Sequence, residues 1–274
     1  PALARYPERF GARDVRLAEK ARATFSKERF AEEGQVGLWP GCDAVDRSPD
    51  DVLAQLALCD AAVGEPVRLV GAERVCGGYP LWAAGYPEAF VWQATRVAKE
   101  LSRFHTVVMS CSACIWALRR LYPAAGVSLS AKIVHTSEYF EYTDLSAGTN
   151  GRAREPVYFH DPCYLARYEN IIAEPRRLLA QVADVREFAW HGRDTECCGA
   201  GGMLPKTMPS VADDVARRRL REVVDGGGKT VVTSCATCRH VLARNAPEGV
   251  RVRELIEYVA ERSGRSAIPT GGMP

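Results

Sequence analysis

The sequence predicts an α/β fold of two duplicated lobes, each a small parallel sheet covered by helices, behind a helical lead-in. Strand and helix patterns alternate along the chain, an order typical of parallel sheets packed between helices. The peptide VVMSCSAC ending at Cys114 reappears as VVTSCATC ending at Cys238. Four cysteines recur at offsets of 121, 122, 124 and 124 positions, namely Cys42 and Cys163, Cys76 and Cys198, Cys111 and Cys235, and Cys114 and Cys238. Nearly constant offsets indicate two related halves.

Length and composition exclude several classes of protein. The 274 residues leave room for two domains, and 47% of them are hydrophobic. A net charge of +2 gives no basic footprint for nucleic acid or an anionic membrane. No apolar run approaches the roughly 18–20 residues of a membrane helix, and no secretory leader is visible. We expect a cytoplasmic protein that does not bind nucleic acid and meets a membrane only through a partner.

Residues 1–34 are expected to form the helical lead-in. The apolar residues Leu17, Ala21, Phe25 and Phe30 indicate one packed stripe among many charged side chains. The segment is therefore predicted to form a strap across the body or a partner surface, with a disordered tail as the alternative.

The first half is predicted to span residues 35–145. Ser48 and Pro49 are typical of a helix start, and a second helix is expected from Pro87 to about Phe104. A third helix is expected through Trp116 and Leu121. Cys59 lies three residues after Leu56 on the first of these helices, so we expect it in the core. Strands are predicted at Val36–Trp39, Pro66–Val70, Thr106–Met109 and Ile133–Val134.

The second half is predicted to span residues 146–274, behind a linker at Thr143–Glu155. Helices are expected from Pro175, from Ser210 to Gly226 and from about Val252 to Glu261, with Asp213 completing a capping box. Strands are predicted at Val157–Phe159, Val185–Trp190 and Thr230–Val232.

The cysteines are the main candidates for a functional site. Ten cysteines in a long chain, grouped as Cys-x-x-Cys and Cys-Cys, favour metal binding over a disulfide framework. Because parallel strands end at one edge of a sheet, each set is expected to meet there. The first set has four members, since Val75 stands where the repeat would place a fifth. The sets are Cys42, Cys76, Cys111 and Cys114, and Cys163, Cys197, Cys198, Cys235 and Cys238.

Thiolates select zinc, Cu(I) or iron–sulfur clusters. A structural zinc ion and an ordinary cubane cluster each use four ligands. The second half has five clustered cysteines, one more than either of these sites uses. They favour a cluster with a non-standard iron geometry.

The second half closely resembles the CCG cysteine-rich domain. The resemblance is carried by His160-Asp161-Pro162-Cys163-Tyr164, by Cys197-Cys198-Gly199 and by Cys235-x-x-Cys238. This domain occurs in the catalytic B and D components of heterodisulfide reductase and in iron–sulfur components of glycolate, lactate and glycerol-3-phosphate oxidising systems. The resemblance implies a noncubane [4Fe-4S] cluster on Cys163, Cys197, Cys198, Cys235 and Cys238. The four first-half cysteines then hold a second [4Fe-4S] cluster or zinc.

The resemblance implies an iron–sulfur electron-transfer subunit of a multi-subunit, heterodisulfide-reductase-like oxidoreductase that also reduces a disulfide. His160 is the candidate catalytic residue, as a donor of protons or hydrogen bonds to sulfur. The expected partner is a flavoprotein dehydrogenase or a ferredoxin-type subunit. Two alternatives remain: a pure electron relay for a flavoprotein 2-hydroxy-acid or similar dehydrogenase, and a zinc-stabilised structural or assembly module.

Overall fold

Two four-stranded parallel sheets form the centre of the protein. A computed structural model describes residues 5–30, 33–71, 73–145 and 153–265. The strand order is β2-β1-β3-β4 in the first sheet and β6-β5-β7-β8 in the second, and every neighbouring pair is parallel. The strands are β1 (Gly34–Trp39), β2 (Arg68–Leu69), β3 (Phe104–Met109), β4 (Lys132–His135), β5 (Pro156–His160), β6 (Asp184–Glu187), β7 (Thr230–Thr233) and β8 (Arg251–Glu254).

The two sheets repeat each other in strand order and in register. Trp39 at the end of β1 pairs with Met109, and its counterpart His160 at the end of β5 pairs with Thr233. Met109 and Thr233 are themselves separated by the 124-residue offset of the cysteines. The prediction of two duplicated α/β lobes is confirmed.

Helices cover the two sheets. Short π-helical turns at Ala117–Leu121 and Tyr164–Glu169 follow the cysteine segments of the two lobes. The α-helices are α1 (Tyr6–Thr24), α2 (Cys42–Arg47), α3 (Pro49–Val63), α4 (Tyr79–Ala83), α5 (Pro87–Leu101), α6 (Ser112–Trp116), α7 (Tyr122–Ala124), α8 (Thr136–Tyr139), α9 (Ala173–Ala180), α10 (Leu204–Thr207), α11 (Pro209–Asp225), α12 (Ala236–Arg244) and α13 (Leu255–Arg262).

One hydrophobic core is shared by the two lobes. Leu38 and Val108 of the first sheet belong to the same buried cluster as Phe159 and Val232 of the second. The neighbouring residues Trp39 and Val231 point the other way, into separate outer clusters. Alternation along each strand therefore gives every sheet one face toward the common core and one toward its own helices.

The N-terminal helix lies across the first lobe. Leu17, Ala21 and Phe25 are buried and join the shared core, while Phe30 packs partly buried beside it. The predicted apolar stripe is confirmed, and the segment forms a strap. Cys59 is also fully buried in this core, as predicted.

The end of the chain differs from the prediction. The segment expected to be one helix from Val252 begins as strand β8, and the helix starts only at Leu255. Glu254 makes the boundary, because its carboxylate accepts hydrogen bonds from the backbone N–H groups of Ile256 and Glu257. Strand β8 is the repeat counterpart of β4, since each is the last strand of its sheet.

The structure confirms one predicted helix start, at Ser48 and Pro49, and corrects another, at Ser210. Helix α11 begins at Pro209, with Met208 at the N-cap, so Ser210 lies inside it, and Asp213 pairs with Arg244 instead. Ser48 occupies the N-cap position of α3, but its hydroxyl accepts a hydrogen bond from Arg239 and does not accept one from the N–H groups of the helix.

Three further expectations concern segment bounds and membranes. Strand β6 ends at Glu187, so the predicted strand to Trp190 was too long. The linker expected at Thr143–Glu155 lies partly outside the described residues. Within the described ranges, the helices are too short or too polar to traverse a bilayer.

Candidate metal centre

The cysteines lie where the parallel strands end. Cys42 opens α2 just after β1, and Cys111 is the N-cap of α6 just after β3. In the second lobe Cys163 follows β5, and Cys235 is the N-cap of α12 after β7. The carboxyl edge of each sheet thus gathers thiols from neighbouring strands, as the pattern predicts.

A single cavity of about 410 Å³ brings both cysteine sets together between the lobes. Four of its cysteines belong to the first lobe and five to the second; Cys59 does not line it. The thiols that line it are Cys42, Cys76, Cys111, Cys114, Cys163, Cys197, Cys198, Cys235 and Cys238.

The thiols of the second lobe form a continuous chain of contacts. Cys163 shares a hydrogen bond with Cys197, which raises the pKa of Cys163 and lowers that of Cys197. Cys198 links Cys197 to Cys238, and Cys238 in turn contacts Cys235. The hydrogen bond with Cys238 lowers the pKa of Cys235 to about 6. Five sulfurs are therefore within reach of one bound group.

The first-lobe thiols form two hydrogen-bonded pairs. Cys42 is hydrogen-bonded to Cys76, and Cys111 to Cys114. The Cys114 backbone N–H also donates to the Cys111 sulfur at 3.4 Å. The hydrogen bond with Cys42 and burial raise the pKa of Cys76.

Glycine lets the cysteine loops pack tightly. Gly199 has φ of +94°, and a Cβ there would lie 2.3 Å from the Ala212 carbonyl oxygen. Its N–H donates to the Cys197 sulfur at 3.3 Å. In the first lobe a Cβ on Gly77 would stand 3.3 Å from the Cys114 sulfur. Side chains at these positions would displace the sulfurs or the backbone that orients them.

The first-lobe loop is held by a buried carboxylate that sequence analysis did not single out. Asp14 of α1 accepts hydrogen bonds from the backbone N–H groups of Val75, at 3.1 Å, and Cys76, at 3.0 Å. Gln93 donates to both Asp14 and the Cys76 carbonyl, each at 2.9 Å. Val75 is fully buried in the shared core and does not line the cavity. An isolated acid on the strap gave no sequence signal for this role.

His160 lies behind the second cysteine set and does not line the cavity. It is fully buried, and a ring nitrogen lies within 4.8 Å of the sulfurs of Cys198 and Cys238. Arg219, also buried, donates from Nε to His160 Nδ1 at 3.3 Å and stacks 3.7 Å from the centre of the Phe188 ring. Burial and this cation lower the pKa of His160 to about 3, so the ring is neutral.

Contacts between the lobes cross the cavity. The Ser112 hydroxyl of the first lobe donates to the Cys235 sulfur of the second at 3.1 Å. The hydroxyls of Tyr79 and Tyr164 meet at 2.5 Å. His135 is hydrogen-bonded through Nε2 to the carbonyl of Ser234, the residue before Cys235. The two cysteine sets therefore face each other in one hydrogen-bonded assembly.

The rim of the cavity is basic. The basic side chains that line it outnumber the acidic ones five to one, although the whole chain is nearly balanced at 36 against 34. The acidic residue is Asp43, and the basic residues are Arg9, Arg13, Arg47, Lys206 and Arg244. Such a rim raises the local concentration of small anions.

The donor set fits a thiolate-bound metal group. All ten cysteines are free thiols, so the disulfide alternative is not supported. Nine of them converge on one cavity, and soft sulfur donors are what iron–sulfur clusters require. His160 Nε2 is buried without a hydrogen-bond partner in the described part of the chain, as expected beside a site that receives a further group.

Two parallel α/β lobes that present free thiols to a common cavity define a cysteine-rich metal-binding protein. Residues 157–243 match the family described as CCG, cysteine-rich domain. The match falls in the second lobe and confirms the resemblance seen in the sequence.

Curated relatives extend the similarity over both lobes. The chain is 26% identical over 233 residues to the B component of fumarate reductase (CoM/CoB) of Methanothermobacter marburgensis, covering 82% of this chain and 46% of that protein. It is 27% identical over 239 residues to the D component of dihydromethanophenazine:CoB--CoM heterodisulfide reductase of Methanosarcina barkeri, covering 77% and 56%. An uncharacterized iron-sulfur protein of Methanocaldococcus jannaschii is 31% identical over 84 residues, 31% of this chain and 17% of that protein. The chain thus spans about half the length of the first two.

Proposed function

We propose that this chain is an iron–sulfur electron-transfer subunit of a multi-subunit oxidoreductase and that it reduces a disulfide bound between its lobes. The observation that carries the proposal is the convergence of nine free cysteines, four from one lobe and five from the other, on one cavity. The relatives named as heterodisulfide reductase and iron-sulfur proteins support it.

The proposed cluster of the second lobe is a noncubane [4Fe-4S] group held by its five cysteines. The four cysteines of the first lobe hold a second [4Fe-4S] cluster in this proposal, in preference to zinc. Iron–sulfur clusters supply electrons, and reduction of a disulfide consumes two electrons and two protons and releases two thiols. With a cluster on each set, the facing cysteine sets would put an electron source on either side of the bond that breaks.

The basic rim supports a small disulfide with anionic groups as the substrate class. Its arginine and lysine side chains come from α1, α2, α10 and α12, so both lobes take part in binding it. A ferredoxin-type or flavoprotein subunit would supply the electrons, and the names of the relatives, which are components of larger reductases, support such an assembly.

The test begins with protein purified without oxygen. We expect about four iron and four sulfide per intact site. Dithionite-reduced protein mixed with 3,3′-dithiodipropionate, an anionic disulfide, should release two thiols per disulfide and lose its reduced signal in electron paramagnetic resonance. Protein that contains zinc and no sulfide would overturn the proposal and favour the alternative function, a zinc-stabilised structural or assembly module.

The pure relay remains a second candidate because of Val75. This residue removes one thiol from the first set and points into the core, so the two sites are chemically unequal. A relay predicts that reduced protein stays reduced in the presence of the disulfide, yet is oxidised promptly by an external electron acceptor such as ferricyanide.

A further inference from the structure

We propose that each lobe carries one buried ring N–H group, on Trp39 in the first and His160 in the second, that donates a hydrogen bond to a sulfur of its own cluster. The inference rests on the proposed function, since it requires clusters on the two cysteine sets. It adds a pair of residues that set the properties of these clusters and assigns a role to Trp39.

The two residues occupy the same place in the repeat. Trp39 ends β1 three residues before Cys42, and His160 ends β5 three residues before Cys163. Trp39 pairs with Met109 and His160 with Thr233, which are equivalent positions of β3 and β7. Their side chains therefore leave corresponding sheets on the corresponding face.

Both side chains carry a buried N–H without a partner. Trp39 and His160 are fully buried, and Trp39 Nε1 and His160 Nε2 make no hydrogen bond within the described residues. An indole nitrogen can only donate. An unsatisfied buried donor is unfavourable, so two of them at one repeated position indicate the same kind of acceptor, one that the protein part alone does not supply.

For His160 the hydrogen bonds determine which nitrogen carries the proton. Arg219 Nε donates to Nδ1, and a guanidinium has no acceptor, so Nδ1 bears the lone pair and Nε2 the hydrogen. Arg219 is fixed in turn, because Nη2 donates to the Trp190 carbonyl at 2.8 Å. Arg219 is therefore a positioning residue that presents His160 as a donor.

We assign cysteine sulfurs as the acceptors for both rings. His160 lies within 4.8 Å of the sulfurs of Cys198 and Cys238. Their repeat counterparts, Cys76 and Cys114, belong to the same buried cluster as Trp39. The repeat therefore assigns Trp39 to the first cysteine set as it assigns His160 to the second.

Hydrogen bonds to cluster sulfur stabilise the more negative, reduced state and raise its reduction potential. Loss of either N–H should therefore shift the midpoint potential of that lobe's cluster to a more negative value and leave the other lobe's cluster unchanged. The two donors act separately, one on each cluster.

The first experiment compares midpoint potentials from redox titrations followed by electron paramagnetic resonance. Trp39→Phe keeps an aromatic ring but removes the N–H, and Trp92→Phe, at an exposed position of α5, is the matched control. In the second lobe His160→Leu removes the donor, whereas His160→Gln retains an N–H group and should move the potential less. Unchanged potentials in Trp39→Phe and His160→Leu, with full iron and sulfide, would overturn the inference alone.

A second measurement needs no substitution and covers variants that fail to fold. Protein labelled with ¹⁵N in tryptophan or in histidine should show a weak ¹⁵N coupling to the reduced cluster in hyperfine spectroscopy. Clusters without such a coupling would refute the proposed hydrogen bonds. Zinc in the first site would remove the Trp39 half of the inference, and protein without iron and sulfide would overturn the proposed function itself.

Discussion

Cys59 and Cys76 are both buried thiols of the first lobe, but only Cys76 lines the cavity. Cys59 is packed in the apolar core, where burial raises its pKa and keeps it protonated. Cys76 is hydrogen-bonded to Cys42 and is a ligand of the first-lobe metal group in the proposed function. The two thiols are thus equally buried, but only Cys76 has a second sulfur beside it and faces the cavity.

The first prediction uses this matched pair. Cys76→Ser should cost the protein about half of its iron and sulfide, because the first site retains three thiols of four. Cys59→Ser should keep the full complement and lose only folding stability. Metal and sulfide analysis of the two variants after anaerobic purification measures the difference. Equal losses in both would contradict the assignment of Cys76.

The second prediction concerns Asp14, which binds the loop of Cys76. Asp14→Ala leaves the N–H groups of Val75 and Cys76 without their acceptor, and it should lower the free energy of unfolding by about 2–4 kcal/mol. Asp214→Ala removes an exposed carboxylate paired with Arg217 on α11 and should cost less than about 1 kcal/mol. Urea unfolding of both variants gives the comparison, and similar small values would show that Asp14 does not hold the loop.

At the scale of elements, α3 of the first lobe packs against α13 of the second over buried carboxyl groups. Burial raises the pKa of Asp51 from 3.8 to about 7, and burial together with Asp51 raises that of Glu254. Arg239, 3.9 Å from Asp51, and Arg253 oppose the shift, whereas Asp50 and Glu257 add to it. We therefore expect the stability of this helix packing to depend on pH.

The third prediction follows from the sign of that shift. Asp51 ionises near pH 3.8 in the unfolded chain but near 7 in the fold, so its contribution to stability is complete below 3.8 and is lost as the pH rises to 7. The loss is at most about 1.4 kcal/mol per pH unit. Relative to wild type, Asp51→Asn should gain stability between pH 5 and 7 and show no further change above 7.

Urea unfolding at pH 5, 6, 7 and 8 measures this difference. Asp214→Asn, an exposed carboxylate of α11 that does not act on Asp51, serves as the control, and its stability should vary with pH as that of the wild type does. If the free energy of unfolding varied with pH in the same way for wild type and for Asp51→Asn, Asp51 would have the same pKa in the folded and unfolded states.

The elements also show what the sequence could predict. The duplication and the strand–helix alternation were visible because cysteine spacing and apolar runs are local features. Ser48 was predicted correctly as the N-cap residue of α3, but its side chain is hydrogen-bonded to Arg239 and not to the helix N–H groups. Ser210 was wrong because Pro209 occupies the first helical position and places the N-cap at Met208. Strand β8 was missed because the four residues Arg251–Glu254 run directly into a helix.

The same division holds for the candidate site. The spacing of the cysteines in the sequence indicates metal ligands, and all nine candidate ligands could be predicted from it. Asp14, Ser112 and Arg219 could not, because each reaches a cysteine or its neighbour from a distant part of the chain. Trp39 was readable in principle, since it is the repeat counterpart of His160.

At the scale of the whole molecule, the duplication is not exact, and the differences fall at the cavity. Ser112 of the first lobe donates to Cys235 of the second, but the residue equivalent to Ser112 is Ala236, which has no hydroxyl to return the bond. Val75 in place of a fifth cysteine is the second such difference. The second site thus has more thiols and one more hydrogen bond from across the cavity than the first.

The fourth prediction tests this coupling between lobes. Ser112→Ala should shift the midpoint potential of the second-lobe cluster to a more negative value, because its O–H···S bond to Cys235 is lost, although the substituted residue belongs to the first lobe. Ser102→Ala, which removes an exposed hydroxyl at the end of α5, is the control. Redox titration monitored by electron paramagnetic resonance resolves the two sites. A shift confined to the first-lobe cluster would contradict a shared cavity, since the hydroxyl would then act only on its own lobe.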